Sequence, residues 1–194
     1  MIGDFVDIGL DPWQWRPAPL INQVVLVGTV EETGAFDLAP KTSAFFASTA
    51  LPAVGFSCNT THHTACNISR TGAFVVNVPE ASHAAKIWDV FLRASQERLA
   101  AAGWHARAGD VVAGACWDEA VAQLECTHHA TIEIAGEEIV IIGRVVAARL
   151  RATLVTDVDG AGPAAAYRVL DPLFYLQPGL FTGLGEVAGP PRSD

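Results

Sequence analysis

The sequence predicts a mainly β fold of the α+β kind: a mostly antiparallel barrel with one main inserted helix at its rim. Three observations predict it. Short β-branched and aromatic runs succeed one another over residues 23–78 and return over 121–150. The longest amphipathic helical pattern is a single stretch, residues 82–103. The alternating strand–helix order of a doubly wound nucleotide fold is missing, and no G-x-G-x-x-G follows a strand. The 194 residues suit one domain. We divide them into an N-terminal arm (1–22), a barrel domain (23–185) and a Gly/Pro-rich tail (186–194).

The arm carries Trp13, Trp15, Pro17 and Pro19 without a period, so it is expected to pack on a neighbouring surface rather than fold alone. Residues 24–30 form a continuous β-branched apolar run, the mark of a buried strand. Residues 31–34 read as a hairpin turn, with Gly34 free to take positive φ. A second strand follows from Phe36 toward Phe46, a third crosses 54–57, and a fourth covers 74–78 and stops at Pro79. Between the third and fourth, Thr60 or Thr61 is placed to cap a short helix that Gly72 ends. The main helix should start at Ser82 and end at Gly103, with Ala84, Trp88, Phe91, Leu99 and Ala102 toward one face. Two long strands, 121–133 and 138–150, meet at a turn through Ala135 and Gly136. A last apolar piece, 173–176, lies between Pro172 and Pro178.

Twelve Lys and Arg face twenty-one Asp and Glu, a formal charge of -9 with no basic run. That argues against nucleic acid and anionic membrane as partners, since both need clustered cations. No stretch reaches the ~20 apolar residues of a membrane helix. The N-terminus lacks a basic start and an apolar core, so we read the protein as cytoplasmic. Cys58, Cys66, Cys116 and Cys126 show no C-x-x-C spacing and are expected to be free thiols. His62-His63 and His128-His129 are adjacent pairs. Strand neighbours point to opposite faces, and no H-x-x-x-H occurs, so no metal site is expected, and the roles of these four histidines stay open. No G-x-S-x-G nucleophile turn is present.

The chemistry concentrates in residues 57–67. This stretch leaves a strand and enters a helix whose first N–H groups and dipole favour an anion. Ser57, Asn59, Thr60, Thr61 and Thr64 add neutral donors able to wrap a phosphate. No Asp or Glu occurs from Lys41 through Val78. An ordinary Asn/Thr-rich cap gives the same letters. Lys41, followed by Thr42 and Ser43, is the only lysine before Lys86. It suits a phosphate or the developing charge on a cofactor ring, and equally a solvated strand end.

Several motifs together resemble the flavin reductase-like family. Residues 24–30 with Asp37-Leu38-Ala39-Pro40-Lys41-Thr42-Ser43 are similar to its first motif, and Val54-Gly55-Phe56-Ser57-Cys58-Asn59 to its second. His63-Thr64-Ala65-Cys66-Asn67-Ile68 is similar to its phosphate-side turn and helix, and residues 71–79 match its next strand. Residues 122–126 and 142–146 resemble later strands. The resemblance implies an FMN-binding split β-barrel, with Thr29, Pro40, Lys41, Thr42, Ser43, Ser57, Cys58, Asn59, His63, Thr64 and Asn67 at the cofactor. It implies hydride transfer from NADH or NADPH to flavin, carried by flavin N5 with no catalytic side chain. The alternative it leaves is an FMN-bound electron carrier or a specialised flavoprotein without free flavin reductase activity. It also implies a homodimer with shared sites and a possible flavin-dependent oxygenase as partner. Trp13, Trp15 and Trp88 are candidates to line a flavin face. Asp37 stands where many relatives carry Asn, which adds a carboxylate near the expected flavin edge.

Overall fold

Strand β1 (Asn22–Val30) is the axis of the fold and explains its own sequence. It pairs antiparallel with β2 (Phe36–Ser48) along one edge and with β4 (Ala73–Val78) along the other. Both of its faces are covered. Val25 and Val27 join Phe56, Phe74, Val76, Cys126, Ile139 and Ile141 in one core cluster. Val24 and Leu26 join Leu38, Ile87, Val90, Trp104, Trp117, Leu173 and Tyr175 in another. A strand buried on two faces needs apolar residues at every position, hence the unbroken run. The computed structural model describes residues 7, 9–11, 19–156, 163–176 and 179–186, without the side chains of 95–96, 155–156 and 163–165. The arm residues Trp13, Trp15 and Pro17, and Pro178 near the C-terminus, lie outside the described residues.

The sheet closes into a six-strand barrel in the order β1-β2-β3-β8-β7-β4 and back to β1, with β3 at Ala53–Asn59, β7 at Ala122–Ala135 and β8 at Glu138–Leu150. Every pairing is antiparallel. Two short strands, β9 (Phe174–Tyr175) and β10 (Phe181–Thr182), extend the sheet beyond the start of β1. The turns take the expected form: Gly34 sits at φ 85° and Gly136 at φ 58°.

Helix α1 (His63–Thr71) packs its Ala65 and Ile68 into the first cluster, and Gly72, at φ 67°, ends it. Its N-cap is His62, which makes no side-chain capping bond; neither Thr60 nor Thr61 caps it. The main helical segment also differs in detail. A 3-10 turn at Ala81–His83 precedes α2 (Ala84–Phe91), and α3 (Ser95–Ala102) follows a break, ending at Gly103. Ser82 is not the cap: its hydroxyl donates to Glu80, and His83 occupies the N-cap position of α2. The break at 92–94 lets both helices lay apolar residues on one cluster, Ile87 and Val90 from α2, Leu99 and Ala102 from α3. A straight helix would carry its second half past that surface. Short helices α4 (Ala152–Thr156) and α5 (Pro163–Leu170) follow β8.

The loop after α3 contains a small hairpin, β5 (Ala106–Ala108) with β6 (Ala115–Trp117). Fully buried Asn77 ties it to the barrel: its Nδ2 donates to the Leu26 and Ala115 carbonyls, and its Oδ1 accepts from the Trp117 N–H.

Candidate functional site

Strands β2 and β3 pair with Phe45 opposite Gly55, which sets residues 40–43 beside residues 57–59. Two adjoining cavities open there. The first, about 360 Å³, is bounded by Ala39–Lys41 of β2, residues 61–64 at the start of α1, and Phe91, Ala94 and Arg98 around the helix break. The second, about 560 Å³, adds Thr42, Ser43, Ser57, Cys58, Asn59, Ile134 and Ile139. Both share Pro40, Lys41, His62 and Phe91.

Their chemistry differs. The first cavity has Lys41, Arg98, His62 and His63 in its wall, with the hydroxyl residues Thr61 and Thr64, and no carboxylate. Partial burial pushes the His62 imidazole below its ordinary range, and the nearby Lys41 and Arg98 cations push it further. Two carboxylates outside the lining pair with residues in it: Glu31 with His63 Nδ1 at 3.3 Å, and Asp37 with Arg98 Nη1 at 3.1 Å. Burial raises the Asp37 carboxyl above its usual range, and Arg98 acts to lower it again. The second cavity mixes apolar Phe91, Ile134 and Ile139 with hydroxyl and amide residues, and Glu138 stands in its wall. Lys41 Nζ lies 3.3 Å from Cys58 Sγ and 5.9 Å from the centre of the Phe56 ring.

The structure brings Pro40, Lys41, Thr42, Ser43, Ser57, Cys58, Asn59, His63 and Thr64 to these two cavities. Some of their polar atoms are spent on building the walls. Ser43 Oγ accepts from the Ser57 N–H at 2.9 Å. Asn59 Oδ1 accepts from the Thr61 N–H at 2.9 Å and the Thr61 hydroxyl at 2.6 Å, while its Nδ2 donates to Glu137. Asn59 therefore shapes the turn that aims α1. Thr29 and Asn67 line neither cavity. Both are buried, and Asn67 Nδ2 donates to Thr29 Oγ1 at 3.0 Å, fastening α1 to β1.

Asp37 is fully buried against Arg98. Arg98, Phe91 and Ala94 carry no motif, and sequence reasoning places none of them at the site: Phe91 reads only as part of a helix's apolar face. The only available signal was the position of Arg98 among the apolar residues of an amphipathic helix. His128 bonds Thr131 on the exposed stretch of β7, and neither it nor His129 lines either cavity. Among the described residues no cluster of His, Cys, Asp or Glu has the makings of a metal site, and no helix is long and apolar enough to cross a membrane. The four cysteines are free; burial pushes the Cys126 thiol up to about 12.

A family model described as a flavin reductase-like domain matches residues 19–181. Nitrilotriacetate monooxygenase component B from Bacillus cereus superposes with a TM-score of 0.81 at 19% identity, over 96% of this chain and 99% of that one. Flavoredoxin of Desulfovibrio vulgaris gives 0.80 at 16% identity, over 97% and 98%. An FMN-binding protein from Thermus thermophilus gives 0.73 at 17% identity, over 98% and 100%. At these identities the likeness is one of fold.

Proposed function

The chain belongs to the flavin reductase-like family of flavin-related oxidoreductases, and on that premise we propose that it binds FMN across the two cavities and passes hydride from NADH or NADPH to it. One observation carries this reading: two joined cavities divide their chemistry as a phosphorylated flavin does. A cation-lined, carboxylate-free space suits a phosphate, and an apolar space rimmed with hydroxyl and amide groups suits a fused ring with a polar edge. The donor set therefore fits the cofactor.

Flavin N5, when FMN is bound, supplies the hydride-accepting chemistry. The chain's part is to bind, orient and exclude water. In this reading the phosphate is received by residues 61–64 and the cations around them, where the first N–H groups of α1 and its dipole add to the side chains. Phe91, Ile134 and Ile139 present apolar surface to the ring. Lys41 stands between the two spaces, able to offset negative charge in either. Thr29 and Asn67 enter as the pair that sets α1 on β1. No side chain is required as an acid or base.

A homodimer is part of the proposal. Phe45, Phe46, Ile132 and Ile134 are large, apolar and exposed, and Ile134 also lines the second cavity, so a second copy would finish that wall. Sedimentation at micromolar concentration tests it; a flavin-loaded monomer would refute it. A flavin-dependent oxygenase is the proposed downstream partner, because one fold neighbour is a monooxygenase component B.

The central test is spectroscopic. FMN-loaded protein is mixed without air with NADH or NADPH, and the visible flavin band is followed. Bleaching by either nucleotide supports the reductase. A yellow protein that ignores both refutes hydride transfer and leaves an FMN electron carrier.

A further inference from the structure

We propose that Arg98, fixed by the buried Asp37 carboxylate, is the residue that makes this site discriminate phosphorylated from unphosphorylated flavin. The inference rests on the reading that the phosphate enters the first cavity.

Arg98 sits one turn into α3 and faces back over the helix break, where Phe91 and Ala94 join it in the cavity wall. Its side chain is 18% exposed, and that of Asp37 is 1% exposed. Nη1 donates to both Asp37 oxygens, at 3.1 and 3.5 Å. Nε is buried and has no partner among the described residues. A guanidinium has five N–H donors in a planar fork, and a single nitrogen answering one carboxylate leaves most of them unspent. A phosphate monoester is the ligand that uses such a fork, because its oxygens accept two parallel bonds.

The neighbours point the same way. His62 is depressed in part by Arg98, so the guanidinium acts on the turn that begins α1. Lys41 is a second cation in the same wall, and no carboxylate lines the space. Lys41 also borders the second cavity, so its charge is shared between the two. Arg98 borders only the first. A contact confined to the phosphate end changes FMN affinity without changing ring affinity, and that is what discrimination requires.

Asp37 is the positioning residue. It is buried in the second strand, and its carboxylate has Arg98 as its ion-pair partner. Removing Arg98 alone would strand a buried charge, so a simple deletion confuses folding with binding. The informative variant is Asp37→Asn/Arg98→Gln, which removes both charges and retains two amides able to bond each other.

Dissociation constants for FMN and riboflavin are measured by flavin fluorescence on flavin-free wild type, on the double variant and on Arg98→Lys, with thermal unfolding as the check on folding. Wild type should prefer FMN. In the double variant FMN binding should weaken by about 10- to 100-fold, the loss expected for one charged hydrogen-bonding group, with riboflavin unchanged. Arg98→Lys, which keeps charge and loses the fork, should fall between. If wild type prefers FMN and the folded double variant keeps that preference, the assignment of Arg98 is overturned while the phosphate site stands. If wild type does not distinguish the two flavins, both the inference and the phosphate reading fall. Equal weakening of FMN and riboflavin would show that Arg98 shapes the cavity without reading the phosphate, and would also overturn the proposal.

Discussion

Asn67→Ala separates a residue that holds the site's scaffold from one that touches its ligand. Asn67 is 4% exposed and Thr29 is 0% exposed, and the only bond between their side chains is the 3.0 Å contact from Asn67 Nδ2 to Thr29 Oγ1. That contact joins the middle of α1 to the end of β1. Truncation deletes a buried hydrogen bond and leaves the Thr29 hydroxyl without this partner. Together these effects should cost about 1–3 kcal/mol. In a domain of this size each kcal/mol lowers the melting temperature by about 2–4 °C. The expected shift is therefore about 2–12 °C, read on flavin-free protein by circular dichroism. Thr29→Val should cause a similar loss from the other end of the bond. The double variant should lose less than the sum, because the second change removes a contact already gone. Since neither residue lines a cavity, the FMN to riboflavin affinity ratio should hold in all three. An unchanged melting temperature with selective loss of FMN would refute this reasoning and place Asn67 on the phosphate.

Three other perturbations have defined outcomes. Gly28→Ala should destabilise by about 1–3 kcal/mol or more, because a Cβ there would meet the Ala115 carbonyl oxygen at 1.9 Å; an unchanged urea midpoint would show that the β6 loop gives way freely. Arg98→Gln should lose about 3–5 kcal/mol at neutral pH by leaving the Asp37 carboxylate unpaired. Asp37 already titrates above its ordinary value when folded, so its charge destabilises the fold as pH rises through that window; without Arg98 the window extends upward, and acidification should recover stability in the variant relative to wild type. A deficit that stays constant between pH 7 and pH 4 would count against the pair. Lys41→Met should lower the reduction potential of bound flavin by tens of millivolts, about 30 mV for each 1.4 kcal/mol lost in a two-electron couple; an unaltered potential returns Lys41 to a purely steric role.

The barrel was legible in the sequence because its strands carry their own evidence. The apolar run of β1 announces burial on two faces, and both faces proved covered. Gly34, Gly72 and Gly136 mark turns at positive φ that side chains rarely adopt. The site was legible where local motifs meet through neighbouring strands, residues 40–43 against 57–59. What escaped has tertiary causes. The break between α2 and α3 falls at Leu92, Arg93 and Ala94, all tolerant of helix, with no Gly or Pro to announce it. The strands of the small hairpin are three residues each, too short to show a period. Arg98 reads as one more solvated helical cation until its partner is known, and that partner lies 61 residues earlier in the chain.

The last feature explains an apparent contradiction in the site's charge. A chain of net charge -9 should resist an anion, and a buried carboxylate beside the cavity proposed for the phosphate should make matters worse. The arrangement makes sense if orientation matters more than total charge. A guanidinium on a long side chain has many rotamers, and a ligand that must order it loses affinity to that ordering. Asp37 orders it in advance. Its carboxylate occupies one nitrogen and lies out of the cavity wall, while Arg98 remains in the wall with donors to spare. Asn at this place would accept a bond from Arg98 but supply no charge to hold it there. The His63–Glu31 pair has a similar layout, with the imidazole in the cavity lining and the carboxylate outside it. Asp37 thus subtracts from the local charge while fixing the direction of the Arg98 cation. For a ligand that must be recognised at one end and held still at the other, direction is what the site requires.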